Sequence, residues 1–127
     1  MAKTILVGPD LELGERILHF LDRAKFPVSV ALWIMMDEED RNWTLLISTP
    51  IYDQEGQGEA YSQLVTALQS TEYTLGQLPI RLESNRKPLV KALRKIFGKT
   101  ASVHGMRLGG HMIGGVWVDD AYVYRIK

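Results

Sequence analysis

Apolar residues recur along this chain at two different spacings, and the spacing changes mark out the elements. After Pro9, Asp10 suits a helix start. Leu13, Ile17, Leu21 and Ala24 then follow at helical intervals, with Glu12, Glu15, Arg16 and Asp22 between them. The pattern predicts a helix ending near Lys25, ahead of Phe26-Pro27. From Val28 to Met36 both alternating sets of positions are apolar apart from Ser29, which predicts a strand covered on its two faces. A polar tip from Asp37 to Asn42 and the run Trp43 to Ser48 complete a hairpin.

Pro50 ends that second strand, and Gln54 to Gly58 reads as a loop. A second helix is expected from about Glu59, with Tyr61, Leu64, Val65 and Leu68 on one side. Gly76 and Pro79 lead into a short strand, Ile80 to Glu83. Pro88 suits the first turn of a third helix, whose apolar side is Leu89, Val90, Leu93, Ile96 and Phe97, and Gly98 ends it. The remainder, Val103 to Ile126, is strand-like and glycine-rich. Val116–Val118 and Tyr122–Tyr124 flank Asp119-Asp120-Ala121 and predict a closing hairpin.

The expected order is therefore α-β-β-α-β-α-β-β, with three helices and about five strands in an α+β layer fold. The second strand, the middle helix and the third strand suit a crossover between parallel neighbours. At 127 residues the chain has the length of one domain, spanning 1–127, with no internal repeat or linker. The ordinary apolar share, 46%, excludes whole-chain disorder. The absence of cysteine excludes disulfides, a thiolate nucleophile and a thiolate-held metal. Nothing in the chain reads as a signal peptide or a membrane span, so a cytoplasmic setting with no membrane partner is expected.

Charge alters this bland picture. The chain is formally neutral, which argues against a general nucleic-acid coat. Yet residues 1–80 carry 5 Lys and Arg against 12 Asp and Glu, whereas residues 81–127 carry 10 against 3. The cations concentrate at Arg81, Arg86, Lys87, Lys91, Arg94, Lys95, Lys99 and Arg107, with Glu83 the one acid among them. Lys87–Lys91 and Lys91–Lys95 are like-charge pairs one helical turn apart, each costing about 0.2–0.5 kcal/mol. Either the helix dipole and nearby acids offset that cost, or an anionic partner does. Arg86, Lys87, Lys91, Arg94, Lys95 and Lys99 are accordingly the candidate ligand-binding residues, for an acidic protein surface or nucleic acid.

Other motifs carry less chemistry. Gly98-Lys99-Thr100 resembles the end of a phosphate loop, but Leu93 stands where the first glycine belongs, and the triplet follows a helix rather than opening one. Gly109 to Gly115 has no strand-turn-helix setting for a dinucleotide and suits tight turns instead. The acidic run Asp37–Asp40 lacks the central glycine and alternation of a calcium loop. His19, His104 and His111 have no metal-ligand spacing, and Ser102 near His104 is an unspecific nucleophile pair. No metal, cofactor or catalytic residue is assigned on these grounds. Asp53, Glu55 and Glu59 follow a strand, where metal-nuclease carboxylates can sit, and supply the alternative reading of a nucleic-acid-processing enzyme.

The closing hairpin raises a further expectation. A two-residue turn at Asp119-Asp120 would set Trp117, Tyr122 and Tyr124 on one face and Val116, Val118 and Val123 on the other. Such an aromatic face needs cover, and a homodimer through this hairpin would supply it.

Gly8-Pro-Asp-Leu-Glu-Leu-Gly14, Phe26-Pro-Val-Ser-Val-Ala-Leu-Trp33 and Val118-Asp-Asp-Ala-Tyr-Val-Tyr-Arg125 together resemble a small family of uncharacterised bacterial proteins. That resemblance implies a bacterial cytosolic setting and brings no activity or site residue with it. Three readings stand: a non-catalytic binding or accessory module, the carboxylate enzyme, and a structural homo-oligomer.

Overall fold

The doubly apolar run predicted to be central is the middle of the molecule. In the computed structural model, which describes residues 6–36, 42–74, 76, 78–100 and 102–127, strand β1 (Val30–Met35) is buried along its whole length. It is the third strand of a five-stranded sheet ordered β3-β2-β1-β7-β4, where β2 is Thr44–Ser48, β3 Ile80–Glu83, β4 Arg107–Leu108 and β7 Asp120–Ile126. A second, two-stranded sheet pairs β5 (His111–Ile113) with β6 (Val116–Val118). The acidic tip Asp37–Asp40 lies outside the described residues.

β1 and β2 form the expected antiparallel hairpin, with Leu32 opposite Leu46. β2 and β3 are parallel, as the crossover expectation required, with Leu46 opposite Arg81. The connection between them contains two helices, not one. α2 (Pro50–Glu55) stands where a strand stop and a loop were expected. Its start is chemically explicit: the Thr49 hydroxyl accepts the Ile51 N–H at 3.3 Å, and Pro50 occupies the first turn, where its missing N–H costs nothing. α3 (Gln57–Leu68) follows directly and buries Ala60, Leu64 and Leu68, leaving Val65 outside. With α1 (Gly8–Arg23) and α4 (Pro88–Phe97), the described residues form four helices rather than three.

Alternation along the strands divides the core in two. On one face Ala31, Trp33 and Met35 of β1, Leu45 and Ile47 of β2, Leu82 of β3 and Tyr124 of β7 pack under α1, α2 and α3. On the other, Val30, Leu32, Ile34, Leu46, Ala121, Val123 and Ile126 pack under α4 and the β5–β6 hairpin.

α1 starts two residues earlier than predicted. Asp10 is not the cap but lies in the first turn, where its carboxylate accepts the Val7 N–H at 2.9 Å. The helix buries Gly14, Ile17 and Leu21, with Leu13 half-buried and packed against the same core, so Gly14 joins the apolar stripe. Glycine is required there by Tyr124: a Cβ on Gly14 would collide with its ring and hydroxyl.

The closing hairpin is the largest correction. β6 pairs with β5, and β7 pairs with β1 and β4, so β6 and β7 do not face each other. Asp119 is not a turn residue; its N–H already bonds Met35 O at 2.8 Å, and the chain passes there from the small sheet to the large one. Val123 lies opposite Leu32 and Arg125 opposite Ala31, leaving Tyr124 as the extra residue of a bulge. Trp117 therefore shares no face with Tyr122 and Tyr124. Both tyrosines pack against the α1-side core within the chain, so the predicted three-ring face does not form, and of its rings Trp117 alone remains exposed on the hairpin.

Candidate functional site

α4 is held by its two ends. At its start, the β3–α4 loop is tied to α2. Asp53 accepts hydrogen bonds from the Ser84 hydroxyl and from the Asn85 N–H (3.0 Å), and Ser84 Oγ accepts the Arg86 N–H at 2.9 Å. The Asn85 amide donates to Ser29 Oγ at 3.0 Å, anchoring the same loop to the start of β1. At its other end, Arg94 Nε donates to Lys127 O at 2.7 Å. Sequence reasoning missed Ser29, Ser84 and Asn85. The pattern Thr49-Pro50-x-x-Asp53, a helix start with an acid in its first turn, could have located the element that organises them.

The buried side of α4 is Leu89, Val90 and Leu93. At 100° per residue the direction opposite this stripe carries Lys91 and Lys95, with Lys99 just past the Gly98 cap, while Ala92 meets the hairpin at Gly114. Gly114, at the hairpin turn with φ +60°, fits against Pro88 O and the Ala92 methyl; no side chain would fit there. Lys87, Lys91, Lys95 and Lys99 are all exposed, and among the described residues no acidic side chain pairs with them. Other cations are engaged: Arg125 with Asp22 at 2.6 Å, Arg107 with Asp120 at 2.6 Å, Arg81 with Glu83 at 3.4 Å and Arg86 with Asp53 at 3.9 Å.

The β5–β6 hairpin and α4 also expose apolar side chains. Met112 and Trp117 lie opposite each other in the β5–β6 register and are 62% and 41% exposed. Their neighbours Ile113 and Val118 are buried, so alternation turns Met112 and Trp117 outward. Ile96 on α4 is 60% exposed. Between the start of α4, the hairpin and the β2–β3 edge lies an open cleft of about 260 Å³. Leu46, Val90, Val116 and Met36 supply its apolar lining, and Arg81, Glu83 and Lys87 its charged groups. The arrangement can hold an apolar group while the surrounding cations hold an anion. It contains no nucleophile or general base set against a second reacting group.

The carboxylates of the enzyme alternative do not converge. Asp53 is turned to the β3–α4 loop, while Glu55 and Glu59 share the Gln63 side-chain amide at 3.2 and 3.1 Å. Among the described residues no group of three His, Asp or Glu side chains is placed to hold a metal. His104 packs against Tyr122 and Tyr124, with ring centres 6.5 and 5.9 Å away, and its Nε2 lies 3.7 Å from Glu15. Tyr124 belongs to the core: its hydroxyl accepts from Trp33 Nε1 at 3.0 Å and donates to Leu11 O at 2.6 Å. Burial pushes the Tyr124 pKa well above the usual tyrosine value, with the Trp33 hydrogen bond acting in the opposite sense. No helix of the described residues is long and apolar enough to cross a membrane. No protein-family model matches this chain, and neither a curated protein nor a solved structure matches it.

Proposed function

We propose that this protein is a non-catalytic binding module that takes an anionic partner on the outer face of α4. The observation carrying this reading is the row Lys87, Lys91, Lys95 and Lys99, exposed and without an acidic partner among the described residues. The helix dipole accounts for cations in the last turn, Arg94 and Lys95. It acts against Lys87 at the cap and Lys91 just inside the helix, where no acid stands in the first turn. An anion bound across the row offsets both this and the like-charge cost. Of two further candidates, Arg94 is engaged with Lys127 O at 2.7 Å and holds the end of the helix, and the exposed Arg86 side chain lies 3.9 Å from Asp53.

The test is retention on immobilised heparin. The native chain should bind at low salt and elute as salt rises. Lys91→Gln with Lys95→Gln should elute much earlier, whereas Arg23→Gln with Lys25→Gln, which removes the same charge from the end of α1, should elute close to the native chain. Equal shifts for the two double variants, or no retention of the native chain, would overturn the proposal.

A further inference from the structure

We infer that the cleft between β3, the start of α4 and the β5–β6 hairpin binds a free α-amino acid with an apolar side chain. The inference goes beyond the α4 reading and stands on the cleft's own lining, to which Lys91 and Lys95 do not belong. The first requirement comes from Glu83. Leu46 and Arg81 are register partners on β2 and β3, and alternation sets Glu83 on the same, α4-facing side as Arg81. The Glu83 side chain is only 10% exposed, yet among the described residues the one partner of its carboxylate is Arg81, at 3.4 Å. That is longer than the roughly 2.7–2.9 Å of a charge-assisted hydrogen bond, and longer than the 2.6 Å that Arg107 and Arg125 reach with their own acids. A carboxylate so withdrawn from water calls for a donor. An ammonium group supplies N–H donors together with the balancing charge.

The second requirement comes from Lys87, which lines the same cleft, is exposed and has no acidic partner among the described residues. It calls for an anion. A simple amine would bring a further cation toward Arg81 and Lys87, and a simple carboxylate would bring a second anion toward Glu83. An α-amino acid carries both charges on neighbouring atoms and meets each with its opposite. The remaining wall selects the side chain. Leu46, Val90 and Val116 are aliphatic, and Met36 adds a flexible thioether that adapts to branched or aromatic shapes. The volume of about 260 Å³ lies just under the roughly 300–1,000 Å³ of pockets for drug-sized ligands, so the guest is smaller than those.

The experiment is calorimetric titration of the native chain with L-leucine, leucinamide and 4-methylpentanoate at about pH 6, where the amine of the amide is protonated. Leucine should bind saturably, and the two analogues, each lacking one charge, about tenfold or more weakly. In Glu83→Gln the preference for leucine over 4-methylpentanoate should vanish. In Lys87→Gln the preference for leucine over leucinamide should vanish. Thermal melts check that each variant folds. Val116→Trp, at a half-buried position, fills the cleft and should abolish binding, which keeps the inference testable if Glu83→Gln does not fold. No saturable leucine binding up to about 10 mM, an analogue that binds as well as leucine, or preferences retained in Glu83→Gln and Lys87→Gln would overturn the inference. So would leucine binding lost in Lys91→Gln with Lys95→Gln, which should leave it within about twofold. Heparin retention reads the α4 proposal separately: if it still depends on Lys91 and Lys95 while leucine does not bind, only the amino-acid site falls.

Discussion

Under α1 and α3 the sheet buries Trp33 and Tyr124 together with the hydrogen bonds that satisfy them, whereas the hydrophobic cluster buried under α4 and the hairpin is aliphatic. The first face is roofed by three helices and closed by specific polar contacts. The second is roofed by one helix and a small hairpin, with an open cleft between them. The cations of the two sides differ in the same sense. Arg125 below α1 is held by Asp22 through two hydrogen bonds of 2.9 and 2.6 Å, while the lysines on top of α4 have no such partners among the described residues. The cation beside α1 is paired within the chain, and the exposed lysines of α4 are those on which the binding proposal rests.

The sharpest way to break this comparison is to place the same charge inside and outside the α4 side. Leu32→Asp puts a carboxylate at the centre of β1, where the residue is 1% exposed. An unpaired buried charge costs several kcal/mol, so we expect no folded protein by circular dichroism. Trp117→Asp changes the outer surface of the same layer and should leave the melt cooperative, with stability within about 1 kcal/mol. Equal loss from both would mean that the hairpin belongs to the core.

On the aromatic face the next largest effects centre on Tyr124. Tyr124→Phe removes the group that pairs both Trp33 Nε1 and Leu11 O, and leaving such buried groups unmatched costs about 1–3 kcal/mol. The same residue adds a pH dependence. Its folded pKa is raised above that of the unfolded chain, so folding is favoured below the ordinary tyrosine pKa of about 10 and loses that contribution as pH rises beyond it. Tyr124→Phe should flatten the alkaline limb of a denaturant-stability profile. An unchanged limb would show that the network does not hold Tyr124 neutral.

These contacts also show why part of the molecule was readable and part was not. β1, its hairpin with β2 and the apolar stripe of α4 declare themselves through local periodicity. α2 did not, because Pro50 both stops β2 and opens the helix, and six residues are too few for a stripe. β7 was misjoined because its partner β1 lies some ninety positions earlier, and a local turn at Asp119-Asp120 is the simpler pattern to read. Within β7 the alternation held, with Tyr122 and Tyr124 on one face and Val123 on the other; the assignment failed at Trp117, which belongs to the other sheet. At the candidate site the lysines were visible as a charge run. The cleft was not, since Leu46, Arg81, Lys87 and Val116 come from four separate elements or joints.

A smaller effect is expected where the two regions meet. Asp53→Ala removes the acceptor that ties Ser84 and Asn85 to α2 and thereby fixes the entry to α4. We expect about 1 kcal/mol of lost stability, with weaker partner binding as a separate consequence of a loosened Lys87. Hydrogen exchange at residues 84–91 should rise while that of β1 stays slow. Uniform acceleration through both would place Asp53 in the global core instead of at this joint.

The smallest effect sharpens the contrast in how cations are held. The Arg125 guanidinium, by its hydrogen bonds first and its charge second, keeps the Asp22 carboxyl below the usual carboxylate range, against a partial burial that pushes the other way. Because the folded pKa is the lower one, the contribution is complete above the unfolded value and disappears as pH falls through the folded value, from about pH 5 downward. The Asp22 side chain is 43% exposed, so water screens the pair and its worth stays below about 1 kcal/mol. Asp22→Asn should therefore lower denaturant stability slightly at neutral pH, and the difference from the native chain should vanish in acid. Lys95→Gln, which removes a cation with no partner within the described residues, should show no such convergence, because there is no native contact to lose. A difference for Lys95→Gln that fades in acid as Asp22→Asn does would reveal an internal acidic partner and take away the free charge on which the α4 reading depends.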